Sequence, residues 1–98
     1  MRFEWDPKKA AANVRKHGIA FEEAETAFFD DDALIIADPD HSKDQDRFVL
    51  LGETAKDNLV VVCHCYLEDD GDDEVIRLIS ARPAKPAERR AYRERSFQ

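Results

Sequence analysis

Along the chain, two helix-like segments, a strand-rich stretch and a closing helix follow one another, each marked by its own spacing of apolar positions. Phe3 and Trp5 alternate with polar residues as in a short strand over 3–5. Asp6-Pro7 then offers an N-cap followed by proline at the first helical position, and Gly18 after Lys16-His17 is a stop signal. Between them Ala10, Val14 and His17 recur at i, i+4 and i+7, which predicts a helix burying that face. A second short helix is predicted from Phe21, Ala24 and Phe28, with Glu22, Glu23 and Glu25 at its positive end and Asp30-Asp31-Asp32 closing it.

From residue 33 the period shortens. The run 33–37 predicts a strand, and 38–45 is a polar, turn-rich loop. Strands are predicted over 47–51, 59–66 and 75–82, with short connections that make an antiparallel meander. The segment 86–95 reads as a helix with Ala84, Ala87, Ala91 and Tyr92 toward the sheet and its arginines toward water. The expected fold class is α+β, an antiparallel sheet with two N-terminal helices and a C-terminal helix, in a single domain over 1–98.

Charge adds an asymmetry that this pattern does not show. The net charge is −7, yet 1–20 carries +3, 77–98 carries +5 and 21–76 carries −15. Two basic ends could converge into one positive face, since an electrostatic footprint belongs to a face and not to a total. The tip 68–74 packs six carboxylates around Gly71; it lacks the ligand order of a calcium loop and reads as a solvated turn. No apolar run is long enough to cross a bilayer and the first residues lack a secretion signal, so a soluble, cytoplasmic protein with no membrane partner is expected.

Cys63 and Cys65 flank His64 in a predicted strand, so both thiols share one face while His64 points to the other. No second ligand pair completes a metal site, and neither metal nor cofactor is expected. Arg77 and Arg82 are unusual: guanidiniums in a strand meant for burial must be paired or needed. Five apart, they face opposite sides of an unbroken strand and meet only if it bulges or ends early.

Several separated motifs then coincide. Phe3-x-Trp5-Asp6-x-x-Lys9-x-x-x-Asn13-x-x-Lys16-His17-Gly18, Phe21-x-Glu23-Ala24, Asp46-Arg47-Phe48, Leu59-x-Val61-Val62, Ile76-Arg77-x-Ile79-Ser80-Ala81-Arg82-x-Ala84, Glu88-Arg89 and Tyr92 resemble the BrnT toxin family, in order, from residue 3 to about 92. The resemblance implies a RelE-like fold and an endoribonuclease toxin of a type II toxin-antitoxin system that arrests translation by degrading RNA. It also implies a BrnA-like antitoxin that neutralises the toxin and carries the complex to operator DNA, repressing the operon. The sequence departs from the family pattern at Asp46, at Cys65-Tyr66 and in the acidic tip.

RNA cleavage without a metal needs a group to take the 2′-hydroxyl proton, one to protonate the leaving 5′-oxygen, and cations on the phosphoryl oxygens. Arg47, Arg77 and Arg82 are the candidate phosphate stabilisers, because a guanidinium stays charged and can grip a phosphate with two hydrogen bonds. His64 is the candidate proton-transfer residue in mid-sheet, with His17 and His41 as alternatives and Asp46 as a carboxylate that could serve if burial raised its pKa. Lys16, His17, His41 and Arg89 are expected to bind substrate. The alternative reading is a module of the same scaffold that binds RNA or protein without cutting.

Overall fold

Asp6 opens the first helix as an N-cap, its carboxylate accepting the Lys8 N–H at 2.8 Å, and Gly18 closes it in the left-handed region at φ 73°. The computed structural model describes residues 1–38, 46–67, 71 and 73–95. In chain order these form β1 (Arg2–Glu4), α1 (Pro7–His17), α2 (Phe21–Ala24) running into a 3-10 turn (Glu25–Phe29), β2 (Leu34–Ala37), β3 (Arg47–Glu53), β4 (Leu59–Leu67), β5 (Val75–Pro83) and α3 (Pro86–Glu94). The acidic tip, apart from 71, 73 and 74, and His41 lie outside the described residues.

The five strands form one sheet in the order β1-β5-β4-β3-β2. Strands β2 to β5 are the antiparallel meander expected from the sequence. The first strand departs from the all-antiparallel expectation: β1 lies parallel to β5, Phe3 beside Ile76. No hairpin joins these two strands, so their sense is set by the long route through the helices and not by a turn.

One sheet face carries Leu50, Val60, Val62, Ile76 and Leu78, and packs against Ile19, Phe21, Ala24 and Ala27 of the α1–α2 layer. Gly52 makes the close approach possible: a Cβ there would meet the Ala27 carbonyl oxygen and the Ala33 Cβ at 3.1 Å each. The opposite face carries Leu51, Leu59 and Val61, and α3 covers that end through Tyr92.

The buried face of α1 differs from the expected Ala10-Val14-His17 stripe. Val14 is 47% exposed and Asn13 is the buried residue. The reason lies in β5, whose outer edge has β1 as neighbour only as far as Arg77. Beyond it, the Asn13 side chain takes the place of a strand: Nδ2 donates to the Ala81 carbonyl at 2.8 Å and Oδ1 accepts the Ala81 N–H at 3.0 Å. The same Nδ2 donates to the Ile19 carbonyl at 2.8 Å, tying the helix exit to the sheet.

Candidate functional site

A bulge in β5 decides which arginines share a face. Cys63 sits opposite Ser80 but His64 sits opposite Leu78, so Ile79 is an extra residue in the ladder. The slip turns Arg82 to the side of Arg77, and Leu78 to the helix side, where an unbroken strand would have placed it with Arg82. Arg77 and Arg47 both lie opposite Cys65, on either side of it, while Arg82 lies opposite Val61. All three guanidiniums therefore rise from one sheet face. From strand geometry the backbones of Arg47 and Arg77 are about 10 Å apart across the sheet, and Arg82 is about 13 Å further along.

A groove of about 320 Å³ runs between Arg47 and Arg82, with Asp38, Val49, Cys63 and Ser80 among its walls. Asp38 is placed there by its N–H, which donates to the Arg47 carbonyl at 2.8 Å. Burial pushes the Cys63 thiol above the usual range, against the pull of Arg47. Burial likewise raises Cys65, against Arg77 and Arg47. Both thiols are therefore held in the neutral form that packs well and attacks poorly.

Arg82 and Arg77 are each gripped by an acid. Arg82 donates from Nη1 and Nη2 to the two carboxylate oxygens of Glu88, at 2.8 and 2.7 Å. Arg77 donates from Nε and Nη2 to one oxygen of Glu4, at 3.1 and 2.9 Å, in an exposed pair. The Arg82 hydrogen bonds hold the Glu88 carboxyl below its ordinary range, against burial and with help from the Lys85 N–H. Glu88 thus presents to Arg82 the bidentate oxygens that a phosphate would present.

His64 has to be reassigned. It faces the helix layer, away from the arginines, and is fully buried. Its ring meets Phe28 edge-on at 4.8 Å, Nδ1 lies 3.1 Å from the Val62 carbonyl and Nε2 lies 3.3 Å from the Tyr66 hydroxyl. Burial lowers its pKa, so it is a neutral core histidine with the sheet between it and the groove. Asp46 is exposed, without the burial its proposed role required.

Of the expected substrate-binding residues, Lys16, His17 and Arg89 lie at another corner. Lys16 is exposed and His17 half-buried at the end of α1. Arg89 reaches that corner from α3, lining a cleft of about 250 Å³ with Gly18, Ile19, Leu59 and Pro83. The sequence reading missed Asp38 and Ser80 as groove residues and Glu88 as the partner of Arg82. Only Glu88 left a signal, as the acid three residues after Lys85 whose carboxylate accepts the Lys85 N–H at 2.7 Å.

The sequence pattern and the fold, taken together, have counterparts among known proteins. The pattern of a family described as the ribonuclease toxin BrnT of type II toxin-antitoxin systems matches residues 5–88. The chain belongs to the BrnT family. The fold is similar to the crystal structure of the Brucella abortus ribonuclease toxin BrnT, with a TM-score of 0.63 and 24% identity over 87% of this chain and 97% of that one. No curated protein matches the sequence. Membership identifies a ribonuclease toxin family and implies an antitoxin partner. Among the described residues, no helix of this BrnT-family chain is long and apolar enough to cross a membrane.

Proposed function

We propose that this chain is a toxin endoribonuclease that binds the RNA backbone along the arginine face and cleaves it in the groove between Arg47 and Arg82. The observation that carries the reading is the Ile79 bulge, which turns Arg82 to the side of Arg47 and Arg77 with a cavity between two of them. In the proposed reaction the 2′-oxygen forms a bond to phosphorus, the bond to the 5′-oxygen breaks, and a cyclic phosphate results. Arg47 and Arg82 stabilise the charge gathering on the phosphoryl oxygens, and Arg77 holds an adjoining phosphate. For Arg82 to do so its fork must exchange Glu88 for phosphate. In this proposal Asp38, which lines the groove, accepts the 2′-hydroxyl proton. His41, three residues further on, remains the histidine candidate for the proton returned to the 5′-oxygen, and Lys16, His17 and Arg89 extend the RNA track at the far corner.

In the cell this activity would arrest translation. A BrnA-like antitoxin would neutralise it and bring the complex to operator DNA. Arg47→Ala and Arg82→Ala are expected to lower the cleavage rate of purified RNA by at least about a hundredfold with the fold retained. Arg77→Ala is expected to weaken RNA binding more than cleavage at saturation. Unchanged cleavage in both Arg47→Ala and Arg82→Ala removes the mechanism, and RNA that is bound yet never shortened by the parent chain favours a binding module.

A further inference from the structure

The sheet ends at β2, and that edge is apolar. Ile35 is 48% exposed and Ile36 42% exposed, and among the described residues no strand pairs with the outer side of β2. The ladder shows which backbone groups are open. Asp38 donates its N–H to the Arg47 carbonyl, and in an antiparallel pair the bonded positions alternate. Leu34 and Ile36 therefore point their amides toward β3, and Ile35 and Ala37 point theirs outward. A short strand with outward amides and uncovered isoleucines on both faces is a template for a further strand.

Charge selects what that strand can be. Asp30, Asp31 and Asp32 precede β2 and stay net acidic after Asp32 pairs with Arg95 at 2.7 Å, and Asp38 follows the strand. Two copies of this chain pairing antiparallel through β2 would set the aspartates at the start of one strand beside Asp38 at the end of the other, at both ends of the contact. A segment with basic residues flanking alternating apolar ones meets the same edge with opposite charge. Strand addition of this kind draws affinity from main-chain hydrogen bonds and specificity from alternate side chains.

We propose that the β2 edge is the docking site for an extended, basic-flanked segment of the antitoxin, added to the sheet as a sixth strand. This rests on the reading that an antitoxin partners the chain, and it supplies where and how. It also connects binding to inhibition. Ile36 lies on the arginine face beside Val49, a groove wall, and β2 leads directly to Asp38 at the groove. A strand on β2 would bring its flanking residues to the mouth of the groove between Arg47 and Arg82.

The test uses the full chain and the antitoxin encoded beside it. Hydrogen exchange at the Ile35 and Ala37 amides is expected to be fast in the free chain and strongly protected in the complex. An Ile35→Lys/Ile36→Lys chain is expected to lose at least about tenfold in affinity, because it places cations against a basic segment and removes two apolar contacts. Ala37→Pro removes one outward N–H without touching the β3 ladder and should also weaken binding, while both variants keep the parent's circular-dichroism spectrum and cooperative unfolding. A saturated complex with unprotected Ile35 and Ala37 amides, or variant affinities within twofold of the parent, overturns the edge assignment and leaves the antitoxin reading standing. Failure of the parent chain to form any complex overturns both. A free chain that sediments as a dimer through β2 assigns the edge to a second copy and overturns the proposal.

Discussion

Asn13 joins α1, its exit at Ile19 and the part of β5 that lies beyond β1, so its removal tests the structure directly. Asn13→Ala deletes three hydrogen bonds and leaves the Ala81 N–H, the Ala81 carbonyl and the Ile19 carbonyl without partners. Asn13 is 6% exposed and Ala81 fully buried, so water reaches these groups poorly. At about 1–3 kcal/mol for each orphaned buried group, and allowing for some water entry into the vacated space, the loss is about 3 kcal/mol. That is a large share of the roughly 5–15 kcal/mol expected for a domain, and it corresponds to a fall in Tm of about 12 °C or more at this size. Urea unfolding followed by circular dichroism measures it. Asn13→Asp adds a control with a sign: the carboxylate still accepts the Ala81 N–H but repels two carbonyl oxygens, so at neutral pH it should be no better than alanine. As pH falls and the carboxyl gains a proton it can donate to one carbonyl, and its deficit relative to the parent should narrow. A change below about 0.5 kcal/mol in Asn13→Ala, the size of an ordinary surface substitution, would refute the substitute-strand account.

Three further outcomes follow from the site and its supports. Glu88→Gln should cost about 1 kcal/mol through the weakened helix start, and should tighten binding of a 2′-O-methyl RNA by freeing the Arg82 fork; weaker RNA binding would show that the pair itself holds the substrate. Because the folded-state pKa of Glu88 is depressed, its stabilising contribution is present above the ordinary 4.5 and lost as pH falls through the folded value, so parent and variant melting curves should converge in acid. Burial depresses His64 below the ordinary 6.5, so the unfolded chain takes up the proton first and stability should fall as pH drops below that value. His64→Phe should flatten that dependence between pH 7.5 and 5.5 and keep RNA cleavage; loss of cleavage in a folded variant would return His64 to the chemistry. Tyr92→Phe removes the 2.7 Å, partly buried hydrogen bond from the hydroxyl to Asp30 and should cost about 1 kcal/mol, with faster exchange of the α3 amides; unchanged exchange would show that apolar packing alone seats the helix.

Local chemistry made much of this fold readable in the chain. Asp6-Pro7 and Gly18 bound α1 because capping and the left-handed exit depend on residues next to each other, and apolar runs over 47–51, 59–66 and 75–82 marked the meander for the same reason. Arg47, Arg77 and Arg82 stood out because a charge in a strand needs a reason wherever it lies. What tertiary structure alone decided is how these pieces face one another. The Ile79 bulge arises from pairing with β4 and reverses the side of every later residue in β5, so Arg82 could join the other arginines while His64 was left behind in the core. The burial of Asn13 in place of Val14 follows from where β1 stops along β5, a property of two segments some 70 residues apart. Side-chain type and short-range spacing are written in the sequence; register and the end of a neighbouring strand exist only once distant segments have met.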